Sequence, residues 1–289
     1  MKNKNVLSAL VIVTAVATAA GVAWAGESNG PQIAGVHLLM ACAALAFAVQ
    51  WLVFIPSFIL QTEKFYDLTG CLTYLLLLLL AAGFSPSVQF ADGLLMLMCA
   101  VWAIRLGTFL FWRIQKDGSD RRFNHIKPVF MRFLVAWTLQ GLWVFLTLSA
   151  VLIAVTSPGA HKLSLFTFVG GGLWLIGLSL EVVADFQKRD FKADPANAGR
   201  FIQSGLWAWS RHPNYLGEIT LWAGIFICVI PRLHGWQWIG MISPLFVLTL
   251  ITRISGVPML EAHADAKWGA EPAYQAYKKA TPRLWPWLR

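Results

Sequence analysis

Leu72-Thr73-Tyr74-Leu75-Leu76-Leu77-Leu78-Leu79-Leu80-Ala81-Ala82-Gly83-Phe84 is a run without a single charge and with six consecutive leucines. A helix on the surface of a soluble domain keeps a polar face, and this run has none. Comparable runs recur from one end of the 289 residues to the other, so that 57% of the side chains are hydrophobic, 13% are charged and the mean hydropathy is +0.61. Ordinary soluble domains hold roughly 45–50% apolar and about 25% charged residues. The composition excludes a water-soluble globule and implies a polytopic membrane protein.

A bilayer crossing takes about 20 predominantly apolar residues. On that rule, spans are predicted near 6–26, 34–60, 68–88, 93–112, 133–156, 164–184, 214–231 and 236–252. The expected fold is an all-α membrane bundle of seven or eight transmembrane helices with cytoplasmic loops and a short cytoplasmic carboxy-terminal tail. The lower number applies if the first span is a cleaved signal sequence, since Lys2, Lys4, an apolar stretch and Ala23-Trp24-Ala25 before Gly26 also fit that reading. The length of the apolar stretch favours a retained helix.

Charge fixes the orientation. With the amino terminus inside, 20 of the 23 Lys and Arg residues fall in inside segments, leaving only Lys162 and Arg232 outside and Arg105 within a span. The positive-inside rule therefore places both termini in the cytoplasm, across an inner membrane in a bacterial cell. The net charge of +9 is then a property of cytoplasmic loops, and the expected partners are the lipid bilayer and a lipophilic small molecule rather than a nucleic acid. Cys42, Cys71, Cys99 and Cys228 all lie in apolar runs without a C-x-x-C spacing, and His37, His161, His234 and His263 show no ligand-like spacing. No metal site is predicted.

The polar chemistry is concentrated in three inside regions, Gln61–Asp67, Arg113–Arg132 and Glu181–Asn214, together with the tail after Arg253. Glu181 and Asp185 stand four apart at the end of an apolar helix, with Lys188 and Lys192 following at helical spacing. In Ser210-Arg211-His212-Pro213-Asn214-Tyr215, Pro213 suits the first turn of a helix, which would set free N–H groups and a positive dipole end beside Arg211. Asn214 and Glu218 are again four apart, and Gly217 between them leaves room for close approach. Glu218 lies at the edge of the bilayer, where an ionisable group is expensive and marks a candidate site. Arg105 can snorkel to the surface or pair with Glu63 or with a phosphate, and Gly170-Gly171-Gly172 with Gly177 reads as close helix packing.

S-R-H-P-N-Y-L-G-E at 210–218, preceded by D-F-Q-K at 185–188 and G-R-F-I-Q-S-G-L-W at 199–207, closely resembles the carboxy-terminal domain of the steroid 5-alpha-reductase family, particularly its bacterial branch of unassigned function. The agreement extends through Gln61–Gly70 and Asp117–Phe123 to Tyr274-x-x-Tyr277-Lys-Lys-x-x-Pro282-x-Leu284-x-Pro286, and so covers most of the chain from about residue 50 onward. The resemblance implies an integral-membrane reductase that holds NADPH in a cytoplasm-facing cavity and reduces a carbon–carbon double bond conjugated to a carbonyl. It implies a division into an amino-terminal segment (1–30), helices with substrate-site residues (31–132) and an NADPH-binding domain (133–289).

Carried over by position, Asp185, Arg200, Arg211, His212, Asn214, Tyr215 and Glu218 would belong to the cofactor pocket. Gln61-Thr62-Glu63 resembles the Gln/Glu pair that contacts the substrate carbonyl, one residue out of register. Glu63 is the implied acid, and Tyr66 is the nearest phenol, standing in for a tyrosine whose place Trp102 occupies. The R-H-P form is also shared with sterol C14 reductases and with membrane methyltransferases for isoprenylcysteine and phospholipids. An S-adenosylmethionine (SAM)-dependent methyltransferase is therefore the alternative. Against it, those enzymes tend to carry adjacent acidic residues in the tail, where this chain has only Leu260-Glu261-Ala262.

Overall fold

The structure, a computed structural model, describes residues 2–27, 30–85, 87–159 and 162–286; His161 lies outside them. It is helical but for one short hairpin, and among the described residues eight segments are long and apolar enough to cross a membrane. The chain divides into two compact units, one of residues 1–164 and 229–243, the other of residues 165–228 and 244–289.

The first unit is built round one helix. Helices α1 (Lys2–Gly26), α2 (Leu38–Ile59), α3 (Tyr66–Phe84), α4 (Phe90–Asp117) and α5 (Phe130–Thr156) follow in order, and α5 packs against the other four. Every residue of α5 from Val144 to Thr156 is buried. A helix that is apolar all round belongs inside a bundle rather than against lipid, and the sequence of α5 from Gly141 onward is of that kind. Between α1 and α2 a two-stranded hairpin, β1 (Gln32–Ile33) and β2 (Val36–His37), turns at Ala34 and Gly35, both with positive φ. That is the backbone a tight two-residue hairpin demands.

Two buried acids stitch the unit together. Asp92, in the first turn of α4, pairs with Arg232 at 2.5 Å and accepts the Gln89 N–H at 2.9 Å. Glu63, in the α2–α3 loop, is described with the site below. The 235–241 stretch is a 3₁₀ helix whose Gln237 donates to Ser157 Oγ.

The second unit holds α6 (Leu165–Ala193), α7 (Pro213–Val229), the π-helical turn Leu250–Ile254, α9 (Val257–Trp268) and α10 (Pro272–Ala280). Helix α8 (Ile242–Thr249) begins in the first unit and ends in the second. The pass read as one span at 236–252 is thus a 3₁₀ segment, a short α-helix and a π turn in succession. The wider i→i+5 pattern of a π turn accommodates a register change that straight α-helix does not.

Helices α6 and α7 meet along glycines spaced seven apart. Gly170 faces Gly224, and Gly177 faces Gly217. A Cβ on Gly177 would lie 2.5 Å from Leu221 N and 2.6 Å from Gly217 O, and one on Gly217 would lie 2.5 Å from Gly177 O. Close packing is what the sequence predicts for Gly170 and Gly177, and their backbones touch as small-residue stripes in membrane helices allow. Gly171 and Gly172 have open space instead. The room left by Gly217 is filled by α6, so it admits a neighbouring helix rather than a ligand.

Candidate functional site

The polar centre of the second unit lies where α7 begins. Pro213 opens the helix, as its fixed φ and missing N–H favour. Ser210, Arg211 and His212 precede it and are buried. The Ser210 hydroxyl accepts the His212 N–H and donates to the Arg283 carbonyl. Arg211 donates from Nη1 to the Lys278 carbonyl at 2.9 Å, sets Nη2 3.0 Å from Glu261 Oε2 and gives its backbone N–H to the Pro282 carbonyl. His212 meets Glu261 Oε1 through Nε2 at 2.8 Å, and Tyr215 stacks on its ring at 5.9 Å. Gly256, at the start of α9, leaves room for the Tyr215 ring.

The end of α6 forms the adjoining wall. Asn214 donates from Nδ2 to Asp185 Oδ1 at 3.3 Å. Gln187 accepts the Leu206 N–H, Trp207 donates its indole N–H to the Ala184 carbonyl, and the Lys188 ammonium stands 4.6 Å from the Trp207 ring centre. The tail closes the arrangement: Tyr277 donates to the Trp207 carbonyl at 2.7 Å and Thr281 to the Ala208 carbonyl. Phe201 packs against Trp268, Tyr274 and Tyr277. Burial pushes the Tyr274 phenol up to about 12 and raises that of Tyr277, so both remain protonated donors.

Four buried atoms at this centre have no hydrogen-bond partner in the protein: Arg211 Nε, His212 Nδ1, Asn214 Oδ1 and Glu261 Oε2, the last of which is ion-paired with Arg211. A carboxylate only accepts, so Nε2 of His212 carries the proton toward Glu261 and Nδ1 is left as an acceptor. Burial holds the His212 imidazole below its ordinary pKa, against the opposing pull of Glu261. Lys188 and Arg211, both positive, act with burial. The site therefore offers two buried acceptors, a chemistry that suits hydroxyl or amide donors of a ligand. Buried polar atoms are rarely left unpaired, so these atoms mark where something polar fits.

The structure brings together six of the residues singled out here: Asp185, Arg211, His212, Asn214, Tyr215 and, one turn further along α7, Glu218. Arg200 is exposed in the loop before Phe201. Arg211 has both outer nitrogens engaged by the tail, so it braces α9 and α10 rather than presenting a free phosphate fork.

Glu63 and Tyr66 belong to the first unit. Glu63 is 4% exposed; its Oε1 accepts the Asp120 N–H at 2.7 Å and its Oε2 the Lys127 ammonium at 2.5 Å. Asp120 in turn grips Arg122, accepting from Nε at Oδ1 and from Nη2 at Oδ2. Burial alone would raise the Asp120 carboxyl, but the bonds from Arg122 hold it below its usual range. Tyr66 donates to the Ala136 carbonyl at 2.9 Å and packs edge-on against Phe123 and Trp137. Gln61 is exposed, has a φ of +50° and folds back onto the Phe58 carbonyl. The 120–127 loop is thus pinned by Glu63, a link sequence spacing does not announce. Lys127 and the buried Tyr74, edge-on to Trp102 at 5.4 Å, were not singled out by the sequence. Tyr74 is hidden in a leucine run, and Lys127 in a basic loop.

Residues 53–281 match the family described as a protein of unknown function (DUF1295), and the chain belongs to it. The chain is 24% identical over 223 residues to an uncharacterized protein of Schizosaccharomyces pombe, covering 65% of this chain and 61% of that protein. Rat 3-oxo-5-alpha-steroid 4-dehydrogenase 1 is 29% identical over 85 residues, 29% of this chain and 30% of the enzyme. The probable O-methyltransferase ustE of Ustilaginoidea virens is 33% identical over 102 residues, 30% of this chain and 36% of that protein. The chain therefore spans less than two thirds of the length of the yeast relative and about a third of each of the other two. No solved structure matches. Parts of the chain are thus similar both to steroid 4-dehydrogenases and to a probable methyltransferase, and its eight long apolar segments, counted among the described residues, are those of a multi-pass membrane protein.

Proposed function

We propose that this member of the DUF1295 family is an integral-membrane reductase that uses NADPH to reduce a carbon–carbon double bond conjugated to a carbonyl in a lipophilic substrate. The observation that carries the reading is the pair of buried acceptors, His212 Nδ1 and Asn214 Oδ1, at the start of α7. They fit the amide and hydroxyl donors of a nicotinamide nucleotide, and Asp185 and Glu218 extend the acceptor set. Lys188, Lys192 and Arg200 supply positive charge for phosphates, including a 2′-phosphate. Arg211 and Tyr215 hold His212 in place. The cofactor, when bound, supplies the hydride.

On the substrate side, Glu63 is the proposed acid that hydrogen-bonds the carbonyl as negative charge develops on its oxygen. Both its oxygens already hold donors, so in this role Oε2 must give up Lys127 and take a proton. Tyr66 anchors the loop beside it. A lipophilic substrate reaches such a protein from the bilayer. The Lys and Arg distribution supports a cytoplasmic position for the 120 and 197 loops, and a reporter fused after Asp120 that reads as external would overturn that orientation.

A methyltransferase is the second reading, favoured by the local likeness to ustE and by the tail acid Glu261 resting on the R-H pair. Titrating the purified chain in detergent with NADPH, NADH and SAM in separate calorimetry runs separates the two. The reductase reading expects NADPH to bind at least tenfold tighter than NADH, about 1.4 kcal/mol. Saturable SAM binding with no response to NADPH refutes it.

A further inference from the structure

The tail contributes a group to this centre that the motif around Pro213 does not contain. Glu261, on α9, is buried, and it meets His212 Nε2 at 2.8 Å and Arg211 Nη2 at 3.0 Å. Arg283 Nε stands 3.9 Å from its Oε2. A neutral imidazole has two tautomers, and a carboxylate beside Nε2 accepts from only one of them. The choice made at Nε2 decides what Nδ1 offers, and Nδ1 is the buried atom without a protein partner.

We infer that Glu261 is a positioning residue: it holds the proton of His212 on Nε2 and so presents Nδ1 to the ligand as an acceptor. The tail is then part of what the site reads, since a ligand must bring a donor, an N–H or O–H, to that atom. Identification of that donor with NADPH rests on the reductase reading above. Lowering the pH protonates His212, turns Nδ1 into a donor and closes the site to such a ligand. The charges facing the ring are Glu261 from α9, Lys188 from α6 and Arg211 beside it, with Arg283 behind Glu261. Glu261 is the one that favours the charged ring, so removing its charge lets His212 stay neutral to lower pH.

The test uses the full chain in detergent with ¹⁵N-labelled histidine. The His212 signals are assigned by their loss in His212→Gln, and no cofactor is present. Wild-type protein near neutral pH is expected to show a protonated Nε2 and a bare Nδ1. A proton on Nδ1 overturns the inference without any variant. In Glu261→Gln the amide can accept from or donate to Nε2. Both tautomers should then appear, and the His212 midpoint should move to lower pH; an unmoved midpoint with a single tautomer overturns the inference.

NADPH titrations of the same samples at neutral pH should show roughly tenfold weaker binding to Glu261→Gln. They should also show a loss of wild-type binding on acidification that tracks the His212 midpoint. NADPH bound equally by both proteins removes Glu261 from ligand recognition. NADPH bound by neither, with the tautomer pattern as expected, overturns the reductase reading and leaves the Glu261–His212 relay standing.

Discussion

Replacing Gly177 by alanine adds one carbon where there is no room for it. Built on the backbone of α6, that carbon lies 2.5 Å from Leu221 N, 2.6 Å from Gly217 O and 2.9 Å from Leu221 Cβ. Two of the three opposing atoms are main chain, so no rotamer change relieves the clash and the helices must separate. Forcing extra volume into a packed contact costs typically 1–3 kcal/mol. Alanine's higher helix propensity returns only about 1 kcal/mol of that. Gly171, earlier on the same helix, supplies the control, because a Cβ there meets nothing within 4 Å. Gly171→Ala gains the same propensity without the clash, so the two variants should differ by the clash alone, about 1–3 kcal/mol. At roughly 2–4 °C per kcal/mol for a large domain, that separates their melting midpoints by about 2–12 °C in the same detergent. Equal midpoints would show that α6 and α7 are not held at backbone contact and would refute the glycine pairing.

Arg211→Ala leaves the buried Glu261 carboxylate without its guanidinium and releases the Lys278 carbonyl. A loss of about 3–5 kcal/mol is expected, together with faster proteolysis after Lys278 and Lys279, and a tail as resistant as in the wild type would contradict the brace. Glu63→Gln keeps an acceptor for the Asp120 N–H but is a poorer acid; turnover should fall about 10²-fold with NADPH affinity unchanged, and less than a threefold loss in Glu63→Ala would remove Glu63 from the chemistry. Because His212 sits below its ordinary pKa of about 6.5, its share of stability is present above that value and is lost as pH falls through the lower folded value. Melting midpoints should therefore drop on acidification from about pH 7 to about pH 5, and His212→Gln should flatten that slope; an equal slope in both proteins assigns the drop to other groups.

The number and place of the membrane helices follow from hydropathy because lipid leaves the backbone few alternatives. Leu72–Phe84 reads as a spanning helix and lies in α3. Helix ends are less visible: α4 and α6 run on to Asp117 and Ala193, beyond the predicted limits at 112 and 184, since polar residues can continue a helix after the apolar stretch stops. The break of the last pass at Leu250–Ile254 has no hydropathy signature, because apolar residues fill it throughout. In the site, the i,i+4 spacing made Asp185 and Asn214 candidates, but their mutual hydrogen bond depends on how two helices meet. The same holds for Glu261, fixed by a contact with His212 across 49 residues of chain. Lys127 is a further case, paired with Glu63 across 64. Spacing along one element is legible in sequence, and pairing between elements is not.

Apart from the Glu261 contacts, the bonds that fasten the tail end on main-chain oxygens. Lys278, Pro282 and Arg283 give their carbonyls to Arg211 and Ser210, while Trp207 and Ala208 give theirs to Tyr277 and Thr281. A carbonyl is the same at every residue, so these bonds do not depend on which side chains stand at positions 278, 282 and 283. The spacing is not free. Dropping or adding one residue between Glu261 and Arg283 would slide every carbonyl past its donor at once, so this seam should tolerate substitution far better than insertion or deletion.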